Sequence, residues 1–316
     1  MSRQIRVFSG LAMILLVVFA LFQVQSPVQV APGAQAQRAP TGATGFSLNE
    51  DEAVPTGPIV SDPVVPDVSE PLRAMTPAVP EITLDRELNP RMHPGDFLDG
   101  FPNLPNGEPD PLAESSQNGG DLTPPVGLSF DGISFATGGT GSPPDTVGAV
   151  GPNHYVQMVN GSIQIFNKSG TTLYGPVLSN TIWSGFGGTC QTRNDGDPIV
   201  LYDRQADRWL VTQFTVASPY MICAAVSTTP DPTGSYYRYA FNVGSDLPDY
   251  FKFGVWADAY YMSANESTYT AYAFNRTNML AGAAATFVKF TGETNLLMPA
   301  DLDGATAPPA GSPGIF

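Results

Sequence analysis

Four aspartates stand at one fixed interval in this chain: Asp145, Asp197, Asp249 and Asp301 are each 52 residues from the next. Their surroundings repeat with them. Each follows a turn containing Pro or Gly. The first three lead into a short apolar run, an Asn or Asp turn and a second apolar run, the turns lying at Asn153, Asp207 and Asp258. A unit that recurs every ~50 residues has to bury its apolar face against its neighbours, and this constrains the fold more tightly than composition does.

The second repeat holds four strand candidates, at 199–202, 209–214, 221–227 and 236–241, separated by turns rich in Asp, Pro and Gly. The third repeat places its candidates at 251–255, 260–264, 269–274 and 286–290, and the first at 146–150, 155–159, 163–166 and 173–177. Four short antiparallel strands per repeat predict an all-β fold of β-propeller blades, three blades with the start of a fourth near Asp301. Closed rings typically have four to eight blades, so the sequence predicts an incomplete ring, completed by missing C-terminal blades of the same protein. Before the first repeat, Leu128-Ser-Phe-Asp-Gly-Ile-Ser-Phe135 alternates in polarity and reads as a latching strand.

Ahead of the repeats the composition changes. Arg3 and Arg6 precede an apolar run from Val7 to Phe22, and Ala34-Gln35-Ala36 offers small residues at both cleavage positions, so residues 1–36 read as a secretory signal peptide. The run is shorter than the ~20 residues of a spanning helix. Residues 37–125 are punctuated by proline and read as a disordered, acidic, Pro/Gly-rich linker. Residues 126–316 are the expected partial propeller. The formal net charge is −15, and removing Arg3 and Arg6 makes it more negative. Such acidity argues against nucleic acid and, once the signal is cleaved, against an anionic membrane surface. The two cysteines, Cys190 and Cys223, lie within one repeat and are expected to form a disulfide in an oxidising, extracellular compartment.

The stretch Asn194-Asp-Gly-Asp-Pro198, with Tyr202-Asp-Arg204 and Arg208-Trp209, resembles secreted bacterial β-propeller proteins. The run from Ala225 to Tyr236 is similar to a hairpin of five-bladed glycoside hydrolase propellers. The resemblance covers Leu128 onward and implies an architecture whose members include binding modules and hydrolases. The Asp box of sialidase-type propellers is not matched, because Asp231 and Gly234 are too far apart and no Trp follows.

In a propeller, residues leading into each inner strand ring the channel mouth, which places Asp145, Asp197, Asp249 and Asp301 there. Two readings are open. The aspartates cap turns, or they form a carboxylate ring that binds Ca²⁺ or a substrate, with Asp195 and Asp303 as second carboxylates. Glycoside hydrolysis would need two facing carboxyl groups, and Glu266 is the candidate acid. With only His93 and His154 in the chain, a histidine zinc site or a His-dependent triad is unsupported. Trp183 and Tyr220, on turns, are candidates for stacking on sugar rings. The expected function is a secreted, non-catalytic module that binds extracellular glycan or protein; the alternative is a propeller hydrolase acting on extracellular polysaccharide.

Overall fold

The structure is a computed structural model that describes residues 57–80, 127–140, 143–304 and 306–316. The signal segment lies outside the described residues, and so does most of the linker. Segment 57–80 supplies two short strands, β1 (Ile59–Val60) and β2 (Asp67–Val68). The first repeat forms β3 (Val147–Val150), β4 (His154–Val159), β5 (Ser162–Asn167) and β6 (Thr172–Leu178). The second forms β7 (Ile199–Asp203), β8 (Arg208–Phe214), β9 (Tyr220–Ser227) and β10 (Tyr236–Gly244). The third forms β11 (Asp249–Val255), β12 (Tyr260–Asn265), β13 (Tyr269–Phe274) and β14 (Phe287–Glu293). Within each repeat the strands pair antiparallel in chain order. The all-β expectation and the strand positions hold.

Alternation along the strands explains how the sheets stack. In β8, Leu210 and Phe214 join one apolar cluster while Trp209 and Val211 join the other. Neighbouring β9 divides likewise, with Ile222, Ala224 and Val226 on one face and Cys223 and Ala225 on the opposite face. Successive strand side chains point to opposite faces, so the second sheet is buried on both sides between the first and the third. The first strands of the three sheets lie beside one another, β7 touching both β3 and β11. Among the described residues the three sheets do not close into a ring.

Segment 57–80 differs from the expected disordered linker. β1 pairs with the outer strand of the third sheet, Val60 opposite Val288, and β2 with the outer strand of the second, Val68 opposite Tyr237. Farther on, the N–H of Leu178 in β6 donates to Ala78 O at 2.8 Å. The segment is a strap along the outer edges of all three sheets. Its prolines forbid a long ladder, but two-residue strands fit between them at a sheet edge, where an unpaired N–H is tolerated. Leu72, fully buried among the residues between the first and second sheets, anchors it and is worth about 1.5–3 kcal/mol of burial.

One other expectation changes. Leu128 to Ser134 is not a strand, and Phe135–Gly138 is a short helix. This segment packs on the first sheet through side chains, with the Phe130 ring against Tyr155 and Phe166 and Ile133 N donating to Gln157 Oε1 at 2.7 Å. After Asp301, where only the start of a fourth repeat is expected, Leu302 N donates to Val255 O, and Trp256 Nε1 to Ser312 O, laying the segment on the third sheet.

The expected disulfide is present. Cys190, in the short helix Gly188–Thr192, is bonded to Cys223 in β9, with Cα atoms 5.7 Å apart. It ties the link between the first two sheets to the middle of the second.

Candidate functional site

Asp145 and Asp197 both adopt left-handed backbone conformations, φ 38° and 46°. A short polar side chain tolerates this conformation better than most, which is one physical reason for aspartate at these repeat positions. In the third repeat the left-handed residue is one place later, Tyr250 at φ 50°, where a bulky side chain is a true outlier. Asp249 itself is the first residue of β11, buried and opposite Asn265.

Asn160, in the turn after β4, links the first two aspartates. Its Nδ2 donates to Asp145 Oδ2 and to Pro143 O, and its Oδ1 accepts from Asp197 N at 2.8 Å. It is 1% exposed. A buried amide using both ends in this way fixes the start of the first sheet against the start of the second.

Lys252 brings in the third aspartate. Its Nζ donates to Phe251 O at 3.2 Å and sits 3.9 Å from the centre of the Tyr250 ring. Burial pushes the ammonium below the usual lysine range, and the carboxylates of Asp197, Asp145 and Asp249 pull it back up. The carboxylates of three of the four periodic aspartates therefore act on one half-buried cation, contributed by the third repeat. Three negative charges against one leave the cluster acidic.

Asp301 does not join them. Its Oδ1 accepts from the N–H of Val255, at the far end of β11 from Asp249. Six residues of strand span roughly 20 Å, so the fourth aspartate caps the opposite end of the sheet. Burial raises its carboxyl above the usual range, the Val255 N–H opposes this, and nearby Asp303 adds to the rise. Asp303 is exposed.

Asp195 is engaged elsewhere: its Oδ2 accepts from Arg193 Nε at 2.8 Å and Val216 N at 2.7 Å, pinning the β8–β9 connection. Glu266, the candidate acid, is bound to Lys289 at 2.7 Å and accepts hydroxyls from Tyr272 and Thr270. Trp183 is fully buried in the core; Tyr220 begins β9 and is half-buried. Among the described residues no group of three or more His, Cys, Asp or Glu side chains is placed to hold a metal ion.

Sequence reasoning missed Lys252 as a partner of the aspartates. The signal was there: the chain has only three lysines, Lys168, Lys252 and Lys289, and a cation this rare beside a periodic aspartate invites pairing. It also missed the ion pair between Asp203 at the end of β7 and Arg276 in the helix Arg276–Ala281, at 2.6 Å, which joins the second and third sheets.

Comparison with known protein families, characterised proteins and solved structures gives no match. The functional reading rests on the chain's own geometry.

Proposed function

We propose that this protein is a secreted, non-catalytic binding module built of propeller-type blades, with its ligand site at the cluster of Asp145, Asp197, Asp249 and Lys252. The observation that carries this reading is that Asn160 joins two of the periodic aspartates, Asp145 and Asp197, beside a half-buried lysine on which their charges and that of Asp249 act. Carboxylate acceptors beside an ammonium donor, next to the exposed ring of Tyr250, suit a hydroxyl-rich ligand such as an extracellular glycan: hydrogen bonds at several points and one stacking surface. Secretion is supported by the N-terminal signal pattern and by the disulfide.

Catalysis by a carboxylate pair fits less well. A glycosidase holds one carboxyl protonated and another facing it across the sugar. Here Glu266 is committed to Lys289, and Asp301, whose carboxyl is raised, sits at the other end of β11 from the cluster.

Titration of the full chain with soluble neutral polysaccharides, paired with a reducing-end assay, tests the reading. Binding that Lys252→Met and Asp197→Asn weaken, with no new reducing ends, is the expected result. Reducing ends that appear with the wild type and vanish with Asp197→Asn would replace it with the hydrolase alternative.

A further inference from the structure

A cleft of about 580 Å³ lies where the strap crosses the seam between the second and third sheets. That volume is in the range of small-ligand sites. Three parts of the chain that are distant in sequence build it: strap residues 59–64, the end of β10 with the connection to β11, and the start of β14. At the end of β10 the register with β9 slips between Asn242 and Gly244, and a bulge of this kind bends a strand.

The walls and the rim differ in chemistry. Val60 and Val64 of the strap line the cleft together with Val243 and Phe287 of the two sheets, giving one apolar wall, while Ser61, Asn242 and Ser245 line it with polar groups. Asp62, from the strap, and Asp246, from the β10–β11 connection, supply carboxylates. Neither forms an ion pair among the described residues; Asp246 Oδ2 accepts the Ser267 hydroxyl at 2.8 Å. The one cation lining the cleft is already matched, since Lys289 Nζ lies 2.7 Å from Glu266 and donates to Val243 O. The cleft therefore presents an apolar wall beside two carboxylates that form no ion pair among the described residues.

A lysine or arginine side chain has the complementary form, an apolar stem ending in a cation. We propose that this cleft is a second binding site, separate from the aspartate–lysine cluster, for a Lys- or Arg-bearing segment of an extracellular peptide. The stem lies along the valines and Phe287, and the cationic head reaches Asp62 and Asp246. The site does not rest on the glycan reading, because it shares no residue with the cluster.

The probe is a fluorescein-labelled tetralysine peptide, titrated into the full chain at low and at physiological salt, with tetraglutamine as the uncharged comparison. Asp62→Asn/Asp246→Asn removes the rim charge from two exposed positions. Asp131→Asn/Asp258→Asn removes the same charge from exposed sites outside the cleft. The expected result is tetralysine binding weakened about tenfold by the cleft pair and less than about twofold by the control pair, with melting temperatures of both variants unchanged. Equal weakening by both pairs would reduce the attraction to the general acidic field of the protein and overturn the site. So would the absence of measurable binding, or tetraglutamine binding as tightly as tetralysine.

Discussion

Asp67 of the strap and Arg238 of β10 meet in a two-point ion pair, Nε to Oδ1 at 2.8 Å and Nη2 to Oδ2 at 2.5 Å. The other terminal nitrogen of Arg238 donates to Ile182 O and Ser184 O, so one buried guanidinium joins the strap, the second sheet and the loop that follows the first. Asp67→Asn leaves that guanidinium without its carboxylate. The cost expected is about 1–3 kcal/mol, below the 3–5 of a fully buried pair because the Asp67 side chain is 41% exposed. Urea unfolding of the full chain measures it. An unchanged midpoint would mean that the strap is held by its backbone ladder and Leu72 alone.

A deeper pair links the second sheet to the third. Arg276 Nε and Nη2 reach the two oxygens of Asp203 at 2.6 and 2.9 Å, and Tyr260 Oη donates to the same carboxylate at 3.0 Å. Asp203 is fully buried. Asp203→Asn is expected to cost about 3–5 kcal/mol, since it leaves a buried guanidinium without a counter-charge. Tyr260→Phe removes one hydrogen bond to a charged acceptor and is expected to cost about 1.5–3 kcal/mol. The two changes act on one network, so in a double-mutant cycle their effects should fall short of additive.

How far the sequence could be read follows from where each residue finds its order. The strands of the second repeat were legible because alternation and turn residues are local, and Ile199 and Phe214 sit where their own neighbours place them. Residues 59–68 were not legible. Two-residue strands between prolines carry no periodicity, and the partners that order them, Val288 and Tyr237, lie far along the chain. The alternation from Leu128 to Phe135 was real but marks rings packing on the first sheet rather than a ladder. At the site, the period located Asp145, Asp197 and Asp249. It did not locate Lys252, on which carboxylates from two other repeats act, and it gave no sign that Asp301 sits at the Val255 end of β11, away from the other three.

The disulfide carries a simple expectation. Cys190 and Cys223 are 33 residues apart, and on the chain-entropy argument closing a loop of this size contributes about 3–4 kcal/mol. Cys190→Ser/Cys223→Ser should melt at a markedly lower temperature than the wild type, and reductant should lower the melting temperature of the wild type alone. Equal melting temperatures with and without reductant would place the bridge outside the cooperative unit.

Alkaline pH should destabilise the protein. Eight tyrosines, at 155, 174, 202, 236, 239, 260, 261 and 272, have hydroxyls pushed above the usual value of 10, chiefly by burial; Tyr202, which also bonds Asp207, is raised to about 12. Above pH 10 the unfolded chain releases these protons while the folded one keeps them. The stability they contribute is whole below pH 10 and is lost as pH rises through the folded values. Lys252 acts in the opposite sense, its lowered folded value making stability rise towards pH 10.5, but one lysine opposes eight tyrosines. Urea midpoints should fall steadily from pH 9.5 upward. A flat profile to pH 12 would mean that the tyrosines ionise without unfolding.

The cluster at Lys252 gives the most direct test of what the repeated aspartates do. In the wild type the ammonium offsets only part of the charge of Asp145, Asp197 and Asp249, but among the described residues these carboxylates are not placed to hold a metal ion together, so millimolar Ca²⁺ is expected to leave the melting temperature unchanged. Lys252→Met removes that cation and leaves like charges to repel one another. This variant should melt lower at low ionic strength and recover with added monovalent salt, which screens the repulsion. Adding Asp197→Asn should shrink that recovery, because less like charge is left to screen. A Ca²⁺-dependent rise in the wild type, lost in Asp197→Asn, would instead make the aspartates a metal site in their own right, with Lys252 a bystander at its edge.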